Sequence, residues 1–498
     1  MIYITNLCMV ALLLSSACSN KNLAPLNVTI KKPSINDTIE EIIKSTDPDI
    51  NIGVSIIDLD TNKIIFEKNP NRYFVPASSQ KIITLAAALY YLGPSYRFTT
   101  QLVTDNYDHK NKSLHDLYVQ GSGDPGLMDT DLLKLALEIK QMGIKEITGD
   151  IYVDDFIFDD ILWGKGAMWD DRPRGYAAPV CGLNLNYNKI IIKTKPGFVA
   201  GSNALVSIEP FSNFISINNQ TKTLSNSSSN IVIAINPSST DNQGLKKDDE
   251  IIIKGQVGLN NPTSYYTLAF HDPGLMVATF LANQLTTLNI KFKGEIKRKK
   301  TPESSIKVTS HLSRTLSEAL IDFIKISNDM ATDSLIKVIA AQNSGLGTYN
   351  KGLSLVKEFL SKEVGFKNHE IIVADGSGLS RYNLITPKQM VNLLAYANNK
   401  FPLGPEFMVA LPIAGSDGTL TNRFKNSPNK SYVRAKTGAM SGINSLVGYT
   451  TMNNSNKIAF AIMINGFIGS SAKYTNLQEK IVGILSENST TFLTNSSD

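Results

Sequence analysis

Residues 76–89 read Pro-Ala-Ser-Ser-Gln-Lys-Ile-Ile-Thr-Leu-Ala-Ala-Ala-Leu, a helix start signal followed by an almost wholly apolar run. Proline and serine are favoured at the beginning of a helix, and the apolar continuation predicts a helix buried on most of its faces. Ser78 and Lys81 are three residues apart, so their side chains lie on the same face of this helix. The sequence therefore predicts a hydroxyl and an amine in contact inside the fold.

A serine with a lysine beside it is a candidate nucleophile with its own base. The lysine serves as a general base when burial and a second cation lower its pKa. At a helix N-terminus Ser78 also meets the positive end of the helix dipole, which suits a reaction that forms an oxyanion. The alternative is a capping serine and a solvent-facing lysine, since Ser-x-x-Lys is common by chance. The position of Lys81 inside a run of Ile, Leu and Ala favours the chemical interpretation.

Two further short motifs carry polar groups at structural breaks. Ser327-Asn328-Asp329 interrupts a helical pattern over residues 316–339, which alone is typical of a helix break with local capping. Lys436-Thr437-Gly438 ends a predicted strand. A cation and a hydroxyl on a strand edge, followed by glycine, suit a carboxylate-bearing peptide that approaches the backbone closely. Each motif is weak alone, but their order along the chain is informative.

In this order the motifs resemble those of the penicillin-binding, active-site-serine enzymes, which run Ser-x-x-Lys, Ser-x-Asn and Lys-Thr-Gly. The long interval between Ser78 and Ser327 is similar to that of the D-alanyl-D-alanine carboxypeptidase/endopeptidase family of penicillin-binding protein 4 type. Five further segments also resemble this family: Gly123-Asp-Pro125, Ala178-Pro179, Leu183-Asn-Leu-Asn186, Asp375-Gly-Ser-Gly-Leu-Ser-Arg381 and Leu411-Pro-Ile-Ala-Gly-Ser-Asp-Gly-Thr-Leu420. The resemblance covers roughly residues 45–485.

The resemblance implies an α+β fold with a split penicillin-binding/β-lactamase-like transpeptidase domain, an antiparallel sheet with helices on both faces. The residues agree, since three C-terminal strand patterns and a hairpin at 51–67 suit one antiparallel sheet. Short β-branched runs over 185–263 predict a small all-β module nested in an inserted α/β domain. The predicted division is a leader at 1–18, a linker at 19–40, a catalytic domain at 41–95 and 301–488, an inserted α/β domain at 96–184 and 264–300, a nested β domain at 185–263, and a tail at 489–498.

The resemblance also implies a role for each motif residue. Ser78 would attack the D-Ala-D-Ala peptide carbonyl, Lys81 would take its proton, and Ser327 would relay a proton to the leaving amine. Lys436 and Thr437 would bind the terminal carboxylate, and Lys436 would help to keep Lys81 neutral. Such enzymes need no metal and no cofactor.

The remaining site residues would shape the substrate cleft. Gly438 belongs to the strand that binds the substrate, and the backbone N–H groups of Ser78 and Ala439 would form the oxyanion hole. Asp154 and Arg381 would bind the ammonium and the carboxylate of the diamino acid in the stem peptide, beside Phe158. The alternative for Asp154, Phe158 and Arg381 is that they are ordinary surface or turn residues.

One position departs from the family pattern. The second motif ends in Asp329 where the family has asparagine, and an ionised aspartate only accepts hydrogen bonds. A negative charge near Lys81 favours the protonated, non-basic amine. Either the network is rearranged, with Asn328 contributing, or acylation is slow.

Three functions follow from the motifs. The first is a carboxypeptidase/endopeptidase acting on peptidoglycan stem peptides and acylated by β-lactam antibiotics. The second is a catalytically weakened protein of the same fold that binds the wall. The third is a β-lactamase, although no Glu-x-x-Leu-Asn segment lies between Lys81 and Ser327 to supply a deacylating base.

Composition excludes several other classes. Of the 498 residues, 42% are hydrophobic, which is ample for packed cores and excludes a disordered chain. A net charge of +5 is too small to indicate a nucleic-acid partner. With 5 histidines and 3 cysteines, a His-rich metal centre or a disulfide scaffold is not expected.

The N-terminus predicts export. Residues 7–14 form an apolar run too short to span a bilayer, followed by Ser15, Ser16 and Ala17. Ala17-Cys18 resembles a lipoprotein processing site, so a lipid on Cys18 would be the only membrane contact. The alternatives are an ordinary cleaved signal or a mis-assigned start codon. The expected location is the periplasm or the cell envelope.

Overall fold

The computed structural model describes residues 34–210, 215–236, 249–425, 427, 430–452 and 456–487. The predicted leader, residues 19–33 of the predicted linker, Cys18 and the tail lie outside the described residues. Across the described ranges, no helix combines the length and the apolar character needed to cross a bilayer.

Helices and strands alternate along the chain to give a mixed α+β fold. The helices are α1 (Ile35–Thr46), α2 (Lys81–Leu92), α3 (Asp129–Gln141), α4 (Pro273–Thr287), α5 (Leu316–Lys325), α6 (Asp329–Ser344), α7 (Tyr349–Lys362), α8 (Pro387–Asn399), α9 (Leu403–Ala410) and α10 (Ala472–Glu487). Short 3₁₀ turns lie at Ala77–Gln80, Gly175–Ala177, Asn186–Asn188, Asn368–Glu370, Gly418–Leu420 and Lys430–Tyr432.

Within the described ranges, the strands fall into five sheets. They are β1 (Asn51–Asp58), β2 (Ile64–Lys68), β3 (Thr99–Thr104), β4 (Tyr107–Asp108), β5 (Ser113–Leu114), β6 (Leu117–Gly121), β7 (Glu146–Ile147), β8 (Ile151–Asp154), β9 (Lys189–Lys195), β10 (Leu205–Glu209), β11 (Ile215–Leu224), β12 (Val232–Asn236), β13 (Asp249–Gly258), β14 (Ser264–Ala269), β15 (Lys291–Phe292), β16 (Ile296–Arg298), β17 (Ile306–Leu312), β18 (Arg434–Met440), β19 (Ile443–Met452) and β20 (Asn456–Asn465).

A five-stranded sheet joins the two ends of the chain in the order β18-β19-β20-β1-β2, and every pair is antiparallel. The predicted union of the N-terminal hairpin with three C-terminal strands is confirmed. Side chains of β20 alternate between two cores, because successive residues of a strand point to opposite faces. Ala461 and Met463 pack with α2, α6 and α8, whereas Phe460 and Ile462 pack with α1 and α10. Helices therefore cover both faces of this sheet, as predicted.

The helix α1 corrects the predicted linker, which was expected to extend to residue 40. Ser34 caps the helix by accepting from the Asp37 N–H, while the Asp37 carboxylate accepts from the Ser34 N–H. Ile39 and Ile43, one turn apart, are buried against α10. This amphipathic pattern in an otherwise polar segment was overlooked in the sequence.

The other sheets are formed by strands between residues 99 and 312. Their orders are β16-β8-β6-β3-β17, β15-β7-β5-β4, β10-β9-β14 and β11-β13-β12. Strand β17 pairs with β3, so residues 306–312 join the insert although the predicted boundary was 300/301. Strand β14 likewise pairs with β9, beyond the predicted end of the β module at 263. One apolar core joins Ile190 and Ile251 of the β module to Leu281 of α4, so the module shares its core with the α/β part.

Candidate active site

Ser78 lies in a tight 3₁₀ turn that runs directly into α2, as the start signal predicted. The residue before it, Ala77, has a φ of 48°, a left-handed conformation that is strained for a residue with a Cβ. The Ala77 side chain is fully buried, so the surrounding packing holds the turn in place. Strained backbone of this kind presents a nucleophile in a fixed direction.

The neighbouring serine, Ser79, is held by hydrogen bonds inside the fold. Ser79 is buried, and its hydroxyl donates to the Pro76 carbonyl at 2.8 Å. Ser445 of β19 donates to the same carbonyl at 2.7 Å and lies 3.1 Å from the Ser79 hydroxyl. Only Ser78 of the two serines is partly exposed, which makes it the candidate nucleophile.

Lys81 is completely buried and has three acceptors around its amine. Its Nζ lies 3.1 Å from Ser78 Oγ and donates to the Ser377 carbonyl at 2.6 Å. The third partner is Oδ1 of Asp329, with which Lys81 forms an ion pair. The predicted contact between Ser78 and Lys81 is present, and so is the predicted closeness of Asp329.

The second motif occupies the break between α5 and α6. Ser327 takes a left-handed φ of 57°, and Asn328 caps α6 by accepting from the Ala331 N–H at 3.0 Å. Asn328 is therefore directed into the helix end, whereas Asp329, in its first turn, reaches Lys81. Asn328 was expected to contribute to the network around Lys81, but among the described residues no contact joins Asn328 to Lys81.

The third motif brings a second buried amine. Lys436 Nζ lies 2.9 Å from Ser327 Oγ and donates to the Thr437 carbonyl at 2.9 Å. Burial and the neighbouring Lys81 hold the pKa of Lys436 well below its usual range, although Asp329 opposes this shift. The Thr437 hydroxyl donates to Thr419 Oγ1 at 2.8 Å, a partner that the sequence did not indicate.

Two glycines allow the elements of the site to meet. A Cβ on Gly438 would lie 2.4 Å from the Pro76 carbonyl oxygen and 2.3 Å from Ser445 Oγ, so only glycine lets β18 approach the Ser78 turn. Gly378 has a φ of 88°, and its Cβ would lie 2.0 Å from the Ala77 carbonyl oxygen. The exposed Ala439 follows Gly438 on the open side of β18.

A pair of buried carboxyls holds the loop that contacts Lys81. Asp333 Oδ1 accepts from the N–H groups of Gly376 at 2.7 Å and Ser377 at 3.1 Å. Asp375 accepts from the Gly378 N–H at 2.8 Å and from the Ser377 hydroxyl at 3.3 Å. Burial and mutual repulsion raise the pKa of Asp333 well above its usual range, and burial raises that of Asp375. The segment 375–381 was part of the family resemblance, but the sequence assigned no role to Asp333 or Asp375.

The predicted diamino-acid subsite is only partly present. Asp154 is buried and already accepts from Gln120 Nε2 at 3.1 Å and from the Thr301 N–H at 2.9 Å. Phe158 is also buried, with its ring against Gly123. The burial of these two residues does not support the prediction that they face the substrate. Arg381 is exposed and donates to the Ser441 carbonyl at 3.1 Å, beside the end of β18.

The sequence profile of the D-Ala-D-Ala carboxypeptidase 3 (S13) family matches residues 35–488. The chain belongs to this family. The resemblance carried by the three motifs is confirmed, and the activity is that of a serine-type D-Ala-D-Ala carboxypeptidase of the S13 family.

Relatives of known function cover most of this S13 chain. A D-alanyl-D-alanine carboxypeptidase of Actinomadura sp. (strain R39) is 28% identical over 84% of this chain and 78% of its own length. The D-alanyl-D-alanine carboxypeptidase DacB of Haemophilus influenzae is 28% identical over 89% of this chain and 91% of its own length. The crystal structure of penicillin-binding protein 4 (dacB) from H. influenzae has a TM-score of 0.77 at 26% identity, covering 90% of this chain and 99% of that one. A second crystal structure of that protein holds a β-lactam and has a TM-score of 0.71 at 26% identity, with the same coverage.

Proposed function

We propose that this chain hydrolyses the terminal D-Ala-D-Ala bond of peptidoglycan stem peptides through an acyl-enzyme on Ser78. D-alanyl-diamino-acid cross-links, which end in a similar D-configured amide, are the second substrate class. The observation that carries the proposal is the 3.1 Å contact between Ser78 Oγ and the buried amine of Lys81. Ser327 Oγ and Lys436 Nζ lie 2.9 Å apart, so the site holds two hydroxyls and two amines.

The reaction needs only these groups and water. Ser78 Oγ attacks the peptide carbonyl carbon and loses its proton to the amines of the site, while the carbonyl oxygen becomes an oxyanion. The backbone N–H groups of Ser78 and Ala439 would hold this oxyanion. The C–N bond then breaks, the D-alanine nitrogen takes up a proton, and water later hydrolyses the ester on Ser78.

Substrate recognition is assigned to the edge of β18. Lys436 and Thr437 of this strand suit the terminal carboxylate of the peptide. Gly438 lets the peptide lie close to the strand. The exposed Arg381 suits the second carboxylate of the diamino acid, since guanidinium groups bind carboxylates well. The β-lactam bound to the H. influenzae relative supports β-lactams as acylating inhibitors of this chain.

The arrangement and location of the protein are also proposals. A catalytic unit formed by both ends of the chain would hold Ser78, Ser327 and Lys436, and the insert would cover one side of the cleft. The small-residue site before Cys18 supports export to the periplasm or the cell envelope. Access to peptidoglycan requires that location.

The experiment is digestion of purified peptidoglycan fragments followed by mass analysis. Monomeric pentapeptides should lose one alanine, and cross-linked dimers should be cleaved to monomers if the second substrate class is also used. A Ser78→Ala variant is the control and should leave both unchanged. No digestion of either fragment by the wild type would support the alternative of a catalytically weakened wall-binding protein, which the ion pair between Lys81 and Asp329 favours.

A further inference from the structure

A cavity of about 800 Å³ lies beside α7. One wall is the helix face formed by Tyr349, Leu353 and Lys357, which are spaced four residues apart and therefore follow one line along the helix. The loop at 159–165 and the segment at 371–374 form further walls. At 1.5 Å of helix rise per residue, the α7 wall is about 12 Å long, which is the length of about three residues of extended peptide.

A short stretch of chain links this cavity to the nucleophile. At one end of the stretch, Gly378 lies against the Ser78 turn. At the other end, Tyr382 lines the cavity and lies against Gly166, where a Cβ would be 2.7 Å from Tyr382 Cδ2. Arg381, directly before Tyr382, is proposed to bind the carboxylate of the diamino acid. The cavity therefore continues the proposed path of the substrate beyond the diamino acid.

The segment at 371–374 offers an unpaired backbone edge to the cavity. Ile372 forms a bridge with Leu384, whose N–H donates to the Ile372 carbonyl at 3.0 Å. Because the backbone groups of successive residues in an extended chain point in opposite directions, those of Val373 point away from Leu384. Val373 lines the cavity, and its N–H and carbonyl have no hydrogen-bond partner within the described ranges. An extended peptide pairs with an edge of this kind.

The charge of the cavity is positive. Lys165 and Lys357 both line it, and the described part of the chain places no carboxylate within salt-bridge distance of either amine. The Lys165 amine lies 5.9 Å from the ring centroid of Tyr382, which is 60% exposed. Asp159 also lines the cavity, but its Oδ1 is 2.5 Å from the buried amine of Lys337, which balances its charge. A peptide with a carboxylate suits this surface better than a neutral one.

We propose that this cavity binds the part of the stem peptide that precedes the diamino acid, as an extended segment with a carboxylate next to Lys165. The proposal rests on the proposed function and extends its substrate from the D-Ala-D-Ala end to the acyl-side peptide. The segment would pair with the edge of Val373 and pack against the exposed ring of Tyr382. Its carboxylate belongs at Lys165, because this cation lies beside Tyr382 and hence next to Arg381.

The test compares two pentapeptides that end in D-Ala-D-Ala and differ by one charge. The residue before the diamino acid is γ-linked D-glutamate in one and its amide in the other. In the wild type, kcat/KM should be at least about threefold higher for the acidic peptide, the scale of a partly exposed ion pair. Equal values for the two peptides would overturn the proposal, and this comparison needs no variant.

Variants locate the preference within the cavity. The ratio of the two kcat/KM values should fall to about one in Lys165→Met. Lys351→Met is the matched control, because Lys351 is exposed on α7 but does not line the cavity, and it should keep the ratio of the wild type. A ratio that is retained in Lys165→Met, or lost in Lys351→Met, would contradict the proposed subsite.

A binding measurement separates this proposal from the proposed hydrolysis. The ligand is a fluorescent tripeptide of L-alanine, γ-linked D-glutamate and the diamino acid, without D-Ala-D-Ala, and its anisotropy is measured with Ser78→Ala. Binding should weaken at least about threefold when Lys165→Met is added to this variant. Lys165-dependent binding without any hydrolysis by the wild type would support the cavity and contradict the proposed function. Hydrolysis without Lys165-dependent binding would support the proposed function and overturn the cavity.

Discussion

The amine of Lys81 and the carboxylate of Asp329 form an ion pair inside the active site, with the lysine side chain fully buried and the aspartate side chain 11% exposed. The motif that the sequence resembles has asparagine at the position of Asp329, so this charge departs from that pattern. Because a buried pair is stable only when both partners are present, removing either one leaves an uncompensated group inside the site. The other groups of the site are arranged around this pair.

The first prediction concerns Asp329→Asn. Asp329 raises the pKa of the Lys436 amine, so its removal should lower that pKa and leave an amine of the site deprotonated at lower pH. The acid limb of the acylation rate should move to lower pH by about one unit or more. The rate is measured with a fluorescent penicillin between pH 5 and pH 9. Asp322→Asn, at an exposed ion pair with Arg314, is the control, and an unmoved acid limb in Asp329→Asn would refute the argument.

The second prediction concerns Asp333. Burial and the neighbouring Asp375 raise the pKa of Asp333 well above its usual range, which favours the neutral carboxyl, so an amide should replace it closely. Asp333→Asn should keep the acceptor for Gly376 and Ser377, whereas Asp333→Ala leaves two buried N–H groups unsatisfied and should cost about 2–4 kcal/mol. Urea unfolding measures this difference. Equal loss of stability in both variants would show that the carboxyl is needed in its ionised form.

The third prediction concerns the close approach of β18 to the Ser78 turn. Gly438→Ala places a Cβ 2.4 Å from the Pro76 carbonyl oxygen, so the strand must move away from the nucleophile. Acylation should fall at least about 100-fold, the order expected for a small misplacement of reacting groups. Gly483→Ala, in α10 where a Cβ meets nothing within 4 Å, is the control and should label normally. Normal labelling of Gly438→Ala would mean that the strand is not held against the turn.

The fourth prediction concerns Asp124, a buried carboxyl in the turn after β6. Burial raises its pKa from 3.8 to about 7, and the described residues offer its Oδ2 no hydrogen-bond partner. Between these values the folded chain holds a proton that the unfolded chain has lost, so the free energy of unfolding falls as pH rises. The loss should be about 1.4 kcal/mol per pH unit from pH 4 to pH 7. Asp124→Asn should remove this slope, and an identical slope in both proteins would contradict the raised pKa.

Sequence reasoning succeeded where side-chain type and order carry the information. The motifs of Ser78, Ser327 and Lys436 are far apart in the chain, yet together they indicated one site, and the hairpin at 51–67 with three C-terminal strand patterns indicated the five-stranded sheet. It failed where backbone groups or side-chain packing determine which residues contact each other. The carbonyl of Ser377 contacts Lys81, but a carbonyl leaves no mark in the sequence.

Long-range pairing and burial were also missed. Strand β17 pairs with β3 across about two hundred residues, a register that no local pattern indicates. Asp154 was expected to bind the ammonium of the substrate, but Gln120 and the Thr301 N–H satisfy its carboxylate inside the fold. Buried charges that are fully hydrogen-bonded are stable, and sequence alone does not show their partners.

The central claim is that Ser78 forms the acyl-enzyme, and labelling with a penicillin tests it most directly. After brief incubation, the intact mass of the chain should increase by one antibiotic molecule, and peptide mapping should place the adduct on Ser78. Ser78→Ala should not label, whereas Ser79→Ala, at the buried neighbouring serine, should still label. Rapid turnover of the antibiotic without a stable adduct would indicate a β-lactamase. Absence of any adduct, or an adduct on another residue, would contradict the account.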